Sequence, residues 1–92
     1  MRPPCKKTVK FDPKYKRFLP EGCPKAKLDS IQISREEAEA LRLKDVEDLD
    51  QTQAAGKMGI SQSTFQRLLS SGHKKVAQAL ILGKEICIEN NN

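Results

Sequence analysis

The stretch that decides the fold covers residues 50–69 and reads DQTQAAGKMGISQSTFQRLL. Asp50 and Gln53 have the spacing of a helix capping box, and Ser61 is suited to cap a second helix. Gly59 lies between the two helices and can adopt the positive φ that a sharp turn needs. Small and apolar residues recur at the helical period: Ala54, Ala55, Met58, Ile60, Phe65 and Leu68. This spacing is typical of a helix-turn-helix.

Helices are also predicted on both sides of this turn. Ser34 and Glu37 form a second capping box, and the residues from Arg35 to about Lys44 are mostly strong helix formers. The helix that begins at Gln62 keeps one apolar face until Gly83. Gly72 lies inside it, and a glycine in a helix costs about 0.5 to 1 kcal/mol, so we expect a bend or a break there. The chain is therefore predicted to be mainly α, with three to four helices.

Two short β-strands flank the helices. Residues 27–33 end in the alternation Ile-Gln-Ile, and residues 85–89 repeat that pattern near the C-terminus. Isolated strands of this length are not stable, so the two are expected to pair. We favour pairing within one chain, with pairing across a dimer as the alternative.

The charges are unevenly distributed along the 92 residues, whose formal net charge is +5. Residues 1–27 have a net charge of +7 and contain all five prolines, which predicts a basic N-terminal arm without regular structure. Residues 28–83 form the predicted helix-turn-helix domain, with its core at 50–70. Residues 84–92 form a strand and a polar tail. No apolar run is long enough for a membrane span or a signal peptide, so a cytoplasmic protein without membrane contact is expected.

The arm and the cysteines each allow two interpretations. Phe11, Tyr15 and Phe18 alternate with cations and could stack on bases, but packing over a core short of aromatics is the favoured interpretation. The cysteines contain no CxxC pair, and His73 is the one histidine. We therefore predict no metal site and no cofactor. Reduced, packed thiols are expected at Cys5, Cys23 and Cys87.

The polar face of the helix that begins at Gln62 carries side chains of the types that contact DNA. Arginine can bond the guanine edge and glutamine the adenine edge, whereas lysine suits phosphates. No Asp or Glu occurs between Ser61 and Lys84, although an ordinary solvated face, the alternative interpretation, usually mixes both signs. The candidate DNA-binding residues are Gln62, Ser63, Thr64, Gln66, Arg67, Ser70, Lys74 and Lys75.

Residues 33–43 and 51–69 resemble the helix-turn-helix of region 4 of bacterial sigma factors. The whole chain, from Arg-Pro-Pro-Cys-Lys-Lys through Phe-Leu-Pro-Glu-Gly and Met-Gly-Ile-Ser to Gly83-Lys84, resembles a family of short uncharacterised prokaryotic proteins predicted to bind DNA. The resemblance implies a sigma-region-4-like fold and a regulatory role. This chain has Asp48 where relatives usually have Gly, and Gly72-His73 where they usually have Ala-Arg.

Two functions follow from these patterns. The first is sequence-specific binding of double-stranded DNA, with a role in transcription regulation. The alternative is a protein-interaction adaptor that contacts RNA polymerase or another regulator through an acidic first helix: Glu36, Glu37, Glu39, Asp45, Glu47 and Asp48. An enzyme is not expected, because no nucleophile can be paired with a base. One recognition helix contacts only about half a dozen base pairs, so a homodimer is expected.

Overall fold

A computed structural model describes residues 16–22 and 29–89. The described elements are β1 (Arg17–Phe18), β2 (Ser30–Ile33), α1 (Arg35–Leu41), a π-helical turn (Arg42–Val46), α2 (Gln51–Met58), α3 (Gln62–Leu82) and β3 (Glu85–Ile88). The protein is therefore mainly helical with a small three-stranded sheet. Phe11, Tyr15, Cys5 and Cys23 lie outside the described residues.

The helix ends agree with the capping signals. The Ser34 hydroxyl accepts from the Glu37 amide at 3.0 Å, and the Glu37 carboxylate accepts from the Ser34 amide at 2.9 Å. Asp50 and Gln53 make the same reciprocal pair at the start of α2. Gly59 ends α2 with φ 69° and Gly83 ends α3 with φ 68°. The predicted starts of α1 and α2 and the predicted ends of α2 and α3 are confirmed, because they depend on local bonds.

The end of the first helix differs from the prediction. An ordinary helix was expected to about Lys44, but the chain widens into a π-helical turn in which the Glu47 amide donates to the Arg42 carbonyl at 2.8 Å. Asp48 follows with φ 63°, the left-handed conformation that aspartate tolerates better than most residues. This turn is therefore made without a glycine.

The core joins α2 to α3 and to the first helical segment. The side chains of Phe65, Met58 and Ala54 are fully buried, and Ala55 is 2% exposed. Because these two alanines have small side chains, α2 can approach the other members of the buried cluster closely. Leu43 and Leu69 belong to the same cluster. The direction in which α3 leaves the turn is therefore fixed by packing on both sides of Gly59.

The expected break at Gly72 is wrong: α3 continues without interruption from Gln62 to Leu82. A Cβ atom at Gly72 would lie 3.2 to 3.4 Å from three side-chain carbons of Leu41. The glycine therefore provides the close approach of α1 to α3 and does not break the helix.

Gly72→Val should lower the free energy of unfolding by about 1 to 3 kcal/mol, because its branched side chain overpacks the contact with Leu41. Leu41→Ala removes the obstructing atoms, so the double variant should lose at least about 0.5 kcal/mol less than the sum of the two single losses. Urea unfolding of the four proteins measures this coupling. Additive losses would mean that Leu41 is not what requires a glycine at position 72.

The sheet has the strand order β1-β3-β2. β2 and β3 pair in parallel, with Ile33 opposite Ile88, so the predicted pairing within the chain is confirmed. β1 pairs antiparallel to β3, with Arg17 opposite Cys87. The prediction that residues 1–27 lack regular structure is therefore wrong at β1. A two-residue strand has no periodicity of its own and exists here because β3 offers a free edge.

One face of the sheet is apolar and the other holds a buried carboxylate. Phe18, Ile33, Ile86 and Ile88 line an apolar groove of about 810 Å³ together with side chains of α3. On the other face, Glu85 is 5% exposed. The Arg17 guanidinium donates to it, and the Ser30 hydroxyl donates at 2.7 Å. These hydrogen bonds, with that of Arg17 the strongest, lower the pKa of Glu85 to about 2.

This shift predicts acid sensitivity. Because the pKa of Glu85 is lower in the folded protein, its stabilisation is present above its ordinary pKa and is lost as the pH falls from about 4.5 toward 2. Wild type should be more stable than Glu85→Gln at pH 6, and the difference should shrink over that window. Urea midpoints at a series of pH values test this. A difference that stays constant from pH 6 to pH 2 would contradict it.

Candidate nucleic-acid interface

The start of α3 is held by a network around Ser61. Residues 59–61 connect α2 to α3, and the Ile60 amide donates back to the Ala55 carbonyl at 3.1 Å. The Ser61 hydroxyl accepts from the Thr64 amide at 3.1 Å and donates to the Thr64 hydroxyl at 2.9 Å. Thr64 is half-buried, and its hydroxyl is used in this cap. The first turn of α3 is therefore preorganised by its own side chains.

Six of the eight candidate residues lie together on the exposed face of α3. They lie opposite the side from which Phe65, Leu69 and Gly72 pack into the protein. The six exposed residues are Gln62, Ser63, Gln66, Arg67, Ser70 and Lys74. They project over about three turns of one helix, a length that fits a major groove.

Two of these side chains are linked to each other and to α2. The side-chain nitrogen of Gln51 donates to the side-chain oxygen of Gln66, and the side-chain nitrogen of Gln66 donates to the Ser70 hydroxyl at 3.0 Å. Gln51 is half-buried, whereas Gln66 and Ser70 are exposed. Gln51 was not among the predicted site residues, because a contact between two helices has no sequence period that would indicate it.

Lys75 lies apart from the six. Its ammonium pairs with the carboxylate of Glu37 at 2.9 Å, which also accepts from the Ser71 hydroxyl. Burial raises the pKa of Glu37, but the hydrogen bonds from Ser71, Lys75 and the Ser34 amide outweigh it, so the pKa is below its usual value. The sequence grouped Lys75 with Lys74, but each helical step turns about 100°, and that step directs Lys75 toward α1.

The acidic first helix exposes fewer carboxylates than the sequence indicated. Glu37 is 6% exposed and Glu39 2%. Arg42 donates to Glu39 twice, at 3.0 and 3.1 Å, and this contact raises the pKa of Arg42. Asp45 contacts His73 at 2.6 Å. The acidic surface proposed for a protein partner therefore loses Glu37 and Glu39 to the interior.

Charge is segregated between the helices. Residues 51–84 include no Asp or Glu, and their cations are Lys57, Arg67, Lys74, Lys75 and Lys84. The carboxylates of the helical region belong to α1, the π-helical turn and the loop to Asp50. The exposed face of α3 therefore lies in the part of the chain that attracts anions.

Comparison with known proteins identifies the family. Residues 1–92 match the family model described as "Protein of unknown function DUF134". The chain belongs to this family. It is 47% identical to a UPF0251 protein of Desulforudis audaxviator, over 99% of this chain and 60% of that protein. It is 43% identical to UPF0251 protein Teth514_1147 of Thermoanaerobacter sp., over 99% of this chain and 80% of that protein.

The match to other members of the DUF134 family covers only part of their length. A UPF0251 protein of Prosthecochloris aestuarii is 47% identical over 96% of this chain but only 57% of its own length. The chain thus spans about three fifths of the first relatives it matches. No solved structure matches the chain. None of the described helices is long and apolar enough to cross a membrane.

Proposed function

We propose that the protein binds double-stranded DNA sequence-specifically and regulates transcription. In this proposal α2, residues 59–61 and α3 act as a helix-turn-helix of the sigma region 4 type, and the first half of α3 enters a major groove. The observation that supports this best is the row of six exposed polar and basic side chains on α3, in a 34-residue stretch without a carboxylate. A row of this composition is more typical of a surface that contacts a polyanion than of an ordinary solvated helix face.

The exposed side chains divide into two roles. Arg67 would bond the O6 and N7 atoms of a guanine, and Gln62 and Gln66 would bond adenine. Ser63, Ser70 and Lys74 would contact phosphates or nearby bases. We leave Thr64 and Lys75 out of the proposed interface, because the cap and Glu37 occupy them.

Two copies of the chain are part of the proposal, because one helix reaches only about six base pairs. Leu80, Ile81 and Leu82 are between 61% and 82% exposed at the far end of α3 from Gln62. An apolar surface of this kind favours contact with a second copy of the chain, and such a contact leaves the six exposed residues of α3 free to bind DNA. The symmetry of the preferred DNA site tests this part of the proposal.

The adaptor function has less support. It depends on an exposed acidic first helix, and two of its six carboxylates are buried in ion pairs with Lys75 and Arg42.

Lys74 and Lys75 supply a matched test of DNA binding. Fluorescence anisotropy of a labelled duplex should show binding that weakens between about 50 and 200 mM salt. Lys74→Ala should reduce the slope of log affinity against log salt by about 1, because one phosphate contact is lost. Lys75→Ala should leave the slope unchanged, because that cation already pairs with Glu37.

Absence of duplex binding by the wild-type protein at about 50 mM salt would contradict the proposed function. Equal slopes for the wild type and both lysine variants would contradict the assigned face of α3.

A further inference from the structure

Most of the large apolar side chains that the described residues expose lie at the groove between the sheet and α3. Six such side chains are exposed, and three of them, Phe18, Val46 and Leu80, line this groove of about 810 Å³. A fourth, Leu19, lines a smaller recess that adjoins the groove at Leu80. An exposed apolar surface concentrated in one place is typical of a site that another molecule covers.

The polar groups at the rim of the groove are already paired within the chain. Four polar residues line it, and they form two pairs: His73 contacts Asp45 at 2.6 Å, and Arg42 donates to Glu47 at 3.3 Å. A charged peptide or a nucleic acid would have to compete with these pairs, so the groove suits an uncharged, apolar occupant better.

The chain itself carries an uncharged apolar surface next to this groove. Residues 76–83 read VAQALILG and contain no charged residue. Leu80 lies in the wall of the groove and is 74% exposed, so its side chain projects beyond the wall. A projection beside a recess is self-complementary, because a two-fold axis near Leu80 brings the projection of each copy to the recess of the other. Such a contact closes at two copies.

The extent of this surface fits a contact between two copies. The groove is lined by 14 described residues and the recess by 8, and Phe18, Leu80 and Ile86 belong to both, which gives 19 in all. Standard protein interfaces use about 20 to 30 residues on each side. The surface therefore approaches the size that a stable dimer needs.

A contact at this place leaves the proposed DNA-binding face free. Leu80 follows Arg67 by 13 residues in α3. It therefore lies about 20 Å further along the helix and about 140° around it. With the two-fold axis near Leu80, the two Arg67 side chains can be up to roughly 40 Å apart. That span includes the separation of about 34 Å between half-sites one helical turn apart.

We propose that the groove between the sheet and α3 is the interface of a homodimer, in which Leu80 of each copy inserts into the groove of the other. The inference rests on the proposed function for the role of the dimer, which is to place two copies of α3 on one duplex. It adds the surface that joins the copies, and its test needs no DNA.

Charged substitutions on the groove and away from it test this interface. Leu80→Glu places a carboxylate in the apolar contact, and Val46→Glu does so at the wall formed by the π-helical turn. Leu82→Glu is the matched control, because Leu82 is 61% exposed at the same end of α3 but is absent from the described lining of the groove. It lies about 200° around the helix from Leu80. Thermal melts monitored by circular dichroism confirm that each variant is folded.

Sedimentation equilibrium of the full chain without DNA, from about 1 to 100 μM, measures the association. Wild type and Leu82→Glu should form a dimer with the same dissociation constant, and no larger species should appear. Leu80→Glu and Val46→Glu should raise that constant at least about tenfold, because burying a charge without a partner opposes the contact.

A wild-type protein that stays monomeric over this range would overturn the inference. A dimer that the two groove variants weaken no more than Leu82→Glu does would also overturn it, as would assembly beyond two copies. If the monomer still selected a DNA sequence, reading by α3 would stand without this interface. A dimer that binds no duplex would instead contradict the proposed function and leave the interface in place.

Discussion

Arg67→Ala should reduce affinity for the preferred duplex by about 1 to 3 kcal/mol, which corresponds to roughly 5- to 150-fold, and should leave the fold intact. Arg67 is exposed on the second turn of α3, next to Gln66. Within residues 16–22 and 29–89 its guanidinium makes no hydrogen bond or ion pair, so its removal costs the folded protein little. Competition binding with specific and scrambled duplexes measures the loss.

Two variants separate base reading by Arg67 from its charge. Arg67→Lys keeps the charge but loses the planar fork, so it should recover nonspecific affinity without recovering the preference for guanine. Lys57→Ala removes an exposed cation of α2 outside the row and should change the affinity for specific and scrambled duplexes alike. Equal specific affinity for wild type and Arg67→Ala would contradict the role of this residue.

Glu37→Ala should lower the free energy of unfolding by about 2 to 4 kcal/mol, the largest effect on stability that we expect from one polar side chain. Its carboxylate completes the capping box of α1, accepts from Ser71 and pairs with Lys75, so it joins α1 to α3. Removing it breaks these bonds and leaves the partly buried ammonium without its partner. Urea unfolding monitored by circular dichroism measures the change.

Glu36→Ala is the control, because it removes a carboxylate from the same turn without breaking a described hydrogen bond. This substitution should lower the free energy of unfolding by less than about 1 kcal/mol, the usual stabilisation that a negative charge contributes near a helix N-terminus. If both alanine variants lost the same stability, the contacts between α1 and α3 at Glu37 would be energetically unimportant.

Local signals in the sequence predicted most of the fold. Both capping boxes, the glycine turns and the alternating strands involve residues within four positions of each other, so their chemistry is visible along the chain. The helical period also predicted the exposed row on α3. Gly72 was misinterpreted because helix propensity describes a helix alone, whereas Leu41 determines what fits at that position.

The missed features all depend on contacts between distant segments. β1 exists because β3 has a free edge, and Lys75 faces inward because α1 presents Glu37 to it. The contact between Gln51 and Gln66 crosses from α2 to α3 in the same way. The inward direction of Lys75 is the one exception that the sequence could have indicated, because a helical wheel separates Lys75 from Lys74 by about 100°.

Selection of bound sequences from a randomised duplex pool tests the central claim most directly. The full chain and Arg67→Ala are compared at about 50 and 200 mM salt. We predict that wild type enriches one motif, an inverted repeat with half-sites about one helical turn apart, and that Arg67→Ala loses the preference for a guanine in each half-site. Absence of binding, or binding that disappears with salt without any enriched sequence, would contradict sequence-specific recognition by α3.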